Sequence, residues 1–176
     1  DWYMQQYAVV DDSCLVNSVN VDYPDSVYIR KLSQLPTVIE MPYNSVVRRY
    51  IDMYVQKRRA LVENLLGLST YYMPIFEEAL EREGLPLELK YLPIIESALR
   101  PDATSRVGAA GLWQFMVKTG KSMGLEVNSL VDERRDPIKS SAMAARYLKD
   151  LYSIYHDWAL AIASSVSYTH LRAHET

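Results

Sequence analysis

Apolar residues recur at helical spacing through most of this chain, and this pattern limits the possible folds more than any other feature. From Asn44 to Gly67 the apolar positions follow the three- and four-residue steps of an amphipathic helix. The same steps return between Pro137 and Tyr155. No stretch shows the sustained two-residue alternation of a half-buried strand. The sequence therefore predicts an all-α globule with short loops.

Capping and helix-breaking residues predict where the helices begin and end. Asn44 is suited to cap the first long helix and Gly67 to end it. A second helix is expected to start at Ser69 or Pro74 and to stop at Gly84. Further helices are expected at 87–99, 112–123, 137–155 and 158–163.

Single residues refine the later helices. Pro93 lies inside the segment 87–99, where it would remove a hydrogen bond and bend the axis. Gly124 is expected to close the helix before it, whereas Asp136 and Asp157 are expected to cap the last two helices. Residues 128–135 are predicted to form a polar loop.

The composition is that of one globular domain with extensions. The 176 residues carry a net charge of −3 and are 49% hydrophobic, so nucleic acid is not an expected partner. The basic residues between Arg48 and Arg59 are interpreted as a solvated helix face. One cysteine, Cys14, excludes an intrachain disulfide and gives no zinc-binding pattern. No stretch has the roughly 18 uninterrupted apolar residues of a membrane span.

Residues 1–42 differ from the rest of the chain. They have little sustained periodicity and are interrupted by prolines, so we expect a leader that is loosely docked or partly disordered. Within it, residues 25–35 are expected to form a short amphipathic helix with Val27, Leu32 and Leu35 on its docking side.

One carboxylate interrupts a run of residues that otherwise suits burial. In a helix, Leu89, Leu92 and Glu96 fall at i, i+3 and i+7, which puts Glu96 on an apolar face. Such a setting favours the protonated form of a carboxyl and raises its pKa, as a general acid requires. The alternative is that Glu96 ends its helix in water or pairs with Arg100.

A segment of small residues follows Glu96. The string GAAGLWQFM from Gly108 to Met116 allows close backbone approach just before Trp113 and Gln114. An indole and an amide suit a sugar groove, because one supplies apolar ring contact and the other hydrogen bonds.

Together these residues resemble a known family. The order Glu96-Ser97, Ser105 and then GAAGLWQFM is similar to the core motif of family 1 lytic transglycosylases, the soluble-lytic-transglycosylase-like (SLT) domain. The similarity spans roughly 44–163, and the flanking segments 84–93 and 132–137 resemble more narrowly a membrane-bound branch of that family. The resemblance implies a lysozyme-like helical globule without cofactor or metal.

The resemblance also implies a reaction. Glu96 would protonate the β-1,4 glycosidic oxygen between N-acetylmuramic acid and N-acetylglucosamine, and would then accept the proton of the C6 hydroxyl as a 1,6-anhydro ring closes. Gln114 would bind substrate and Ser105 would help to position it. Ser97 would either orient Glu96 or cap its helix. Trp113 and Met116 would line the groove, with core packing as their alternative role.

Two rival functions remain open at this stage. A lysozyme-type hydrolase on the same scaffold would need an ordered water and a second acid such as Asp102, although Asp102 in a turn is more often a capping residue. A catalytically impaired glycan-binding module is the other rival. Asp132, Glu133 and Asp136 are expected to cap helices or to pair with the neighbouring arginines.

The end of the chain departs from the family pattern. The family usually continues W-x-L-A-L-A-A-Y-N, which Trp158 to Ala163 match, but Ser164, Ser165 and Val166 then stand where Ala, Tyr and Asn are expected. We therefore expect an incomplete catalytic domain at 43–163 and a non-native tail at 164–176. The pair His170 and His174 in that tail lacks a third ligand, so no metal site is predicted.

The family also implies a cellular setting. Peptidoglycan glycan strands would be the partner, in the periplasm or cell envelope, and membrane association would require an N-terminal anchor not included in these residues. We expect a monomer.

Overall fold

The computed structural model describes residues 22–171, with side chains described for 22–165. Cys14, His174 and the side chain of His170 lie outside these ranges, as does the first half of the predicted leader. The described chain is all-α, with isolated bridges but no β-strand, which confirms the predicted fold class. The helices are α1 (Asp25–Ser33), α2 (Ser45–Asp52), α3 (Arg59–Glu83), α4 (Leu92–Ser97), α5 (Val117–Ser122), α6 (Pro137–Tyr155) and α7 (Trp158–Leu171).

Helix α3 is longer than predicted. Gly67 and Pro74 both lie inside it, so the predicted stop and start between 67 and 74 are wrong. One buried face, which includes Leu65, Tyr72 and Phe76, runs past both residues and packs against the rest of the core. Tertiary packing therefore outweighs the weak helix propensity of Gly and Pro at exposed positions.

The first long helix breaks earlier than Gly67. Asn44 caps α2 as predicted, accepting the amides of Val46 and Val47 at 2.9 and 3.0 Å. A π-helical turn, Met53–Lys57, follows α2, and Arg58 then leaves helical geometry at φ −122° and ψ 40°. The apolar spacing continues across this break, which is why the sequence pattern does not reveal it.

The predicted helix 87–99 is two shorter pieces. A 3₁₀ turn, Leu87–Tyr91, leads into α4, and Pro93 lies in the first turn of α4. The predicted bend at Pro93 is wrong, because a first-turn proline has no intrahelical hydrogen bond to lose. Ala98 and Leu99 then adopt φ values of 52° and 59°, which end α4 directly after Glu96 and Ser97.

The predicted helix 112–123 begins only at Val117. Leu112 to Phe115 instead form a buried turn in which Gln114 has a φ of 49°. Gly124 follows the end of α5 in a left-handed conformation, as predicted. Further on, Asp136 caps α6 and Asp157 caps α7, which confirms both predicted N-caps.

The core lies between α3 and α6. Phe76 of α3 meets Trp113 edge-to-face at 5.4 Å, and Leu148 of α6 belongs to the same buried cluster. None of the described helices combines the length and the hydropathy that a bilayer span requires.

The described part of the leader contacts α2 and the 3₁₀ turn Leu87–Tyr91. Its predicted helix is present as α1, with Val27 and Leu32 half-buried, but Leu35 lies beyond its end and is exposed. Arg48 of α2 binds Asp25 at 2.7 Å, and Glu88 accepts the backbone amides of the leader at 38 and 39.

Replacing Gly67 by Ala should raise the free energy of unfolding by about 0.5–1 kcal/mol, because Ala has the higher helix propensity. A Cβ at Gly67 meets nothing within 4 Å, and its φ is not left-handed. Urea denaturation of both proteins measures the change. A loss of stability would mean that Gly67 ends a helix, as the sequence pattern suggested.

Candidate active site

Glu96 lies at one wall of a small cavity in the described structure. The residue is half-buried in the last turn of α4. The cavity has a volume of about 40 Å³, close to that of one or two water molecules. Apart from Glu96, the residues that line it are Leu92, Trp113, Phe115, Thr119, Ala144, Tyr147, Leu148 and Ser165.

The lining is mostly apolar and aromatic, and it includes Leu92 but not Leu89, the two leucines whose helical spacing put Glu96 on an apolar face. The buried turn supplies Trp113 and Phe115, and α6 supplies Tyr147, whose ring meets Phe115 edge-to-face at 6.2 Å. Helical periodicity places Ala144 and Leu148 in the core, but it does not indicate that they reach the same cavity as Glu96.

Trp113 combines a core role with a place in the cavity wall. Its ring is 9% exposed and packs on Phe76, and its indole nitrogen donates to Ser141 Oγ at 2.9 Å. The ring is therefore fixed in position by α3 on one side and by α6 on the other. Of the two roles that the sequence left open for Trp113, core packing is present, and contact with a sugar stays a prediction.

Ser97 joins the helix of Glu96 to the buried turn. Its hydroxyl is buried and lies 2.9 Å from the carbonyl oxygen of Pro93 and 3.0 Å from that of Leu112. The first contact lies within α4, and the second holds α4 against the turn that carries Trp113.

Gln114 and Ser105 also stabilise this region from within. The Gln114 amide nitrogen donates to the carbonyl oxygen of Gly111 at 2.8 Å, and the side chain is 7% exposed. Ser105 Oγ accepts the amide of Ala109 at 3.0 Å. Met116 is half-buried at the start of α5. None of these three residues lines the Glu96 cavity, so their predicted contacts with substrate stay predictions.

Arg134 contributes to this region although the sequence does not indicate it. It lies in the predicted polar loop 128–135, yet it is only 6% exposed. Its guanidinium donates to the carbonyl oxygens of Gly108 and Phe115, both at 2.9 Å, and to both carboxylate oxygens of Asp132. This pairing with Arg134 lowers the pKa of Asp132. An acidic residue two positions before an arginine was the available signal, but the carbonyl partners are distant in sequence.

The other acidic candidates have structural roles. Asp102 is exposed, pairs with Arg100 at 2.9 Å, and does not line the Glu96 cavity. The Arg100 guanidinium lowers the pKa of Asp102. Asp132 caps the 3₁₀ turn Glu133–Arg135 and pairs with Arg134, as expected. Glu133 differs from the expectation, because it pairs with Lys139 of α6 and not with a neighbouring arginine.

The described residues contain no group of three or more His, Cys, Asp and Glu side chains arranged to hold a metal ion. Polar side chains other than Glu96 also line the cavity. These include the hydroxyls of Thr119 and Ser165.

Comparison with known proteins agrees with this arrangement. The model of the family "Transglycosylase SLT domain" matches residues 73–167, more than half of the chain and a range that contains Glu96 and the whole buried turn. The chain belongs to this family. The resemblance inferred from the sequence motif is thereby confirmed.

Two of the similar proteins are named as lytic transglycosylases, in agreement with the family assignment. The SLT chain is 34% identical over 125 residues to membrane-bound lytic murein transglycosylase D of Escherichia coli, and a second strain of that species has a relative with the same values. The aligned segment covers 70% of this chain and 27% of those relatives. A protein of Alteromonas sp. named for tributyltin chloride resistance is 32% identical over 94 residues, covering 53% of this chain and 45% of that protein. The SLT chain thus spans about a quarter of the length of the transglycosylases.

The residue at the position of the family tyrosine, Ser165, lies at the Glu96 cavity. Counting from Trp158, Ser165 occupies the position where the family motif has Tyr. Its side chain lines the Glu96 cavity and lies 2.7 Å from the carbonyl oxygen of Ile162 in the preceding turn. The departure from the family pattern therefore lies in the wall of the candidate active site.

Replacing Gly111 by Ala should lower the free energy of unfolding by about 4 kcal/mol or more, through steric overlap and left-handed strain. Gly111 has a φ of 83°, and a Cβ there would lie 1.8 Å from the carbonyl oxygen of Arg134. Gly108 is the matched control, since it has a similar φ of 86° but open space around its Cβ position.

The control Gly108→Ala should cost only the conformational strain, about 1–2 kcal/mol. Urea denaturation monitored by circular dichroism compares the two variants. Equal losses would show that contact with Arg134 does not constrain Gly111.

Proposed function

We propose that this SLT domain cleaves peptidoglycan as a lytic transglycosylase, with Glu96 as its single general acid and base. The observation that carries the proposal is the position of Glu96 in a mostly apolar cavity walled by Trp113 and Phe115. A carboxyl beside a bound substrate can donate a proton and take one back, as a general acid and base does.

The proposed reaction breaks one bond and forms one. Glu96 donates its proton to the glycosidic oxygen as the bond from that oxygen to C1 of N-acetylmuramic acid breaks. The carboxylate of Glu96 then takes the proton of the C6 hydroxyl on the same sugar, and the C6 oxygen bonds to C1. The products are a 1,6-anhydromuramoyl end and a free hydroxyl on N-acetylglucosamine. Water is not consumed, and Glu96 returns to its protonated state.

The positions of the acidic residues favour a mechanism with one catalytic carboxylate over a mechanism with two. Glycosidases that use a pair require the second carboxyl about 5–9.5 Å from the first, across the scissile bond. Among the described residues lining the cavity, Glu96 is the one carboxylate. Asp102, the predicted alternative, is exposed and engaged by Arg100.

Some of the proposed substrate-binding residues would contact the glycan, and others would hold the buried turn in place. Trp113 would contact a sugar ring through the side that faces the cavity, while Met116 would contact the strand from the start of α5. Ser97, Ser105 and Gln114 would act mainly by holding the buried turn in place, since each already bonds to backbone groups of this region. The glycan strand would lie across the mouth of the cavity, within reach of Glu96 in its wall.

The proposed substrate fixes the place of action. Peptidoglycan strands lie in the periplasm or cell envelope of bacteria, and we propose that the domain acts there as a monomer. The two Escherichia coli relatives are named membrane-bound lytic murein transglycosylase D. Any anchor would belong to a part of the protein outside the SLT domain.

Hydrolysis is the second candidate, and one observation favours it. The cavity beside Glu96 has room for a water molecule, which a lysozyme-type reaction would need as its nucleophile. The two reactions leave different ends on the same glycan. Hydrolysis leaves a reducing end, whereas transglycosylation leaves an anhydro end.

Replacing Glu96 by Gln should lower the turnover of purified peptidoglycan by about 10²–10⁴-fold, because the amide cannot exchange the proton. Mass spectrometry of the soluble products should show anhydromuropeptides from the parent chain and almost none from the variant. Asp102→Asn is the control and should retain the parent rate. Products with reducing ends from the parent chain would establish hydrolysis. If the parent and both variants bind glycan but release no products, the domain is a binding module.

Replacing Ser165 by Tyr should raise turnover by about tenfold, because a phenol at this wall can hydrogen-bond to the reacting groups beside Glu96. Ser165→Phe supplies the same ring without the hydroxyl and is the matched control. The rates of anhydromuropeptide release by the three proteins decide the matter. An equal gain from Phe and Tyr would show that filling the cavity, rather than the hydroxyl, is responsible.

A further inference from the structure

We propose that Arg134 is a positioning residue for the reaction at Glu96, an inference that rests on the proposed function. Arg134 does not line the cavity and would not contact the substrate. It would act by holding the segment Gly108–Phe115, which supplies one wall of the cavity.

The hydrogen bonds of Arg134 fasten this segment at both ends. One guanidinium nitrogen, Nη1, donates to Gly108 at the start of the segment and to Phe115 at its end, in both cases at 2.9 Å. The other two nitrogens donate to Asp132, at 2.8 Å from Nε and 2.7 Å from Nη2. Asp132 thereby fixes the plane of the guanidinium, so that Nη1 points at the two carbonyl oxygens.

The rest of Arg134 is also packed against its surroundings. Its carbonyl oxygen occupies the space that a Cβ of Gly111 would need, and its Cγ and Cδ lie 3.1 and 3.2 Å from the Cβ position of Gly120. Backbone, stem and guanidinium therefore contact the segment, or the helix after it, at separate points. Glycine at 111 and 120 makes this approach possible.

A path of contacts leads from Arg134 to Glu96. Phe115, whose carbonyl oxygen Arg134 binds, lines the cavity with its ring. Leu112 in the same segment is bonded to Ser97, the residue next to Glu96. A shift of the segment would thus move a wall of the cavity and the end of α4 together.

The chemistry of the site requires Arg rather than Lys. The planar guanidinium binds a carboxylate with two nitrogens while a third nitrogen binds the carbonyl oxygens, whereas an ammonium has one nitrogen and no fixed plane. Arg134→Lys keeps the charge and much of the stem, and is therefore the variant that separates geometry from charge. Arg135 is the control, because it is adjacent, has the same charge and also pairs with Asp132, but its more exposed side chain donates to Thr104 and to no residue of the segment Gly108–Phe115.

The first test compares turnover of purified peptidoglycan by Arg134→Lys, Arg134→Ala and Arg135→Ala. Arg134→Lys should lower kcat about tenfold or more while remaining folded, since small displacements of catalytic groups have large effects on rate. Millimolar guanidinium chloride should restore part of the kcat of Arg134→Ala, with equal NaCl as the salt control, and should not affect Arg135→Ala. If Arg134→Ala does not fold, Arg134→Lys alone decides. A folded Arg134→Lys with kcat within twofold of the parent would overturn the proposal.

The second test does not depend on turnover. Hydrogen exchange of the amides of Ala110 and Gln114, which bond within the segment, should accelerate about tenfold in Arg134→Lys, while the Ser140 amide in α6 keeps its rate. Unchanged exchange at Ala110 and Gln114 would overturn the proposal even if the parent chain proved inactive. An inactive parent with accelerated exchange would instead count against the proposed function alone.

Discussion

Burial of the turn from Leu112 to Phe115 is the constraint on which the rest of this SLT domain depends. All four residues are less than 10% exposed, and burying an aliphatic or aromatic side chain contributes about 1.5–3 kcal/mol. The turn places Trp113 between α3 and α6 and places Phe115 beside Tyr147. Since the same two rings line the cavity at Glu96, the packing that stabilises the core also shapes the candidate active site.

A buried turn is costly unless its polar groups are paired, and the chain meets this requirement with specific residues. The amide of Gly111 bonds to Ala103, and the carbonyl oxygen of Phe115 accepts from Ala110 and Arg134. Within the described part of the chain, every buried side-chain nitrogen or oxygen has a hydrogen-bond partner. Polar residues in the motif, such as Ser97 and Gln114, are therefore needed for the fold whether or not they also bind substrate.

Local chemistry explains which parts of the fold could be predicted. The caps Asn44, Asp136 and Asp157 depend on residues within one helical turn, so the sequence identifies them correctly. The spacing of Leu92 and Glu96 also predicted that they share a face, and both line the cavity. The helix end predicted at Gly67 and the helix start predicted at Leu112 are wrong, because tertiary packing outweighs local propensity at both places. Packing extends α3 past Gly67, and it puts a buried turn where the first turn of the predicted helix 112–123 would lie.

Contacts between residues distant in sequence account for the parts of the site that could not be predicted from the sequence. Arg134 looks like a loop residue, because its partners Gly108 and Phe115 lie 26 and 19 positions away. Ser165 and Glu96 line the same cavity, and this likewise depends on how α7 packs against the core. Such contacts require knowledge of the fold, whereas the family motif already indicated which carboxylate to examine.

The most direct test of Glu96 as the acid and base is a crystal structure of Glu96→Gln bound to an oligosaccharide of alternating N-acetylglucosamine and N-acetylmuramic acid. We expect a glycosidic oxygen about 3 Å from the side-chain amide at position 96, with the strand across the mouth of the cavity and a sugar against Trp113. A glycan bound elsewhere, with position 96 out of hydrogen-bonding reach of any glycosidic oxygen, would contradict it.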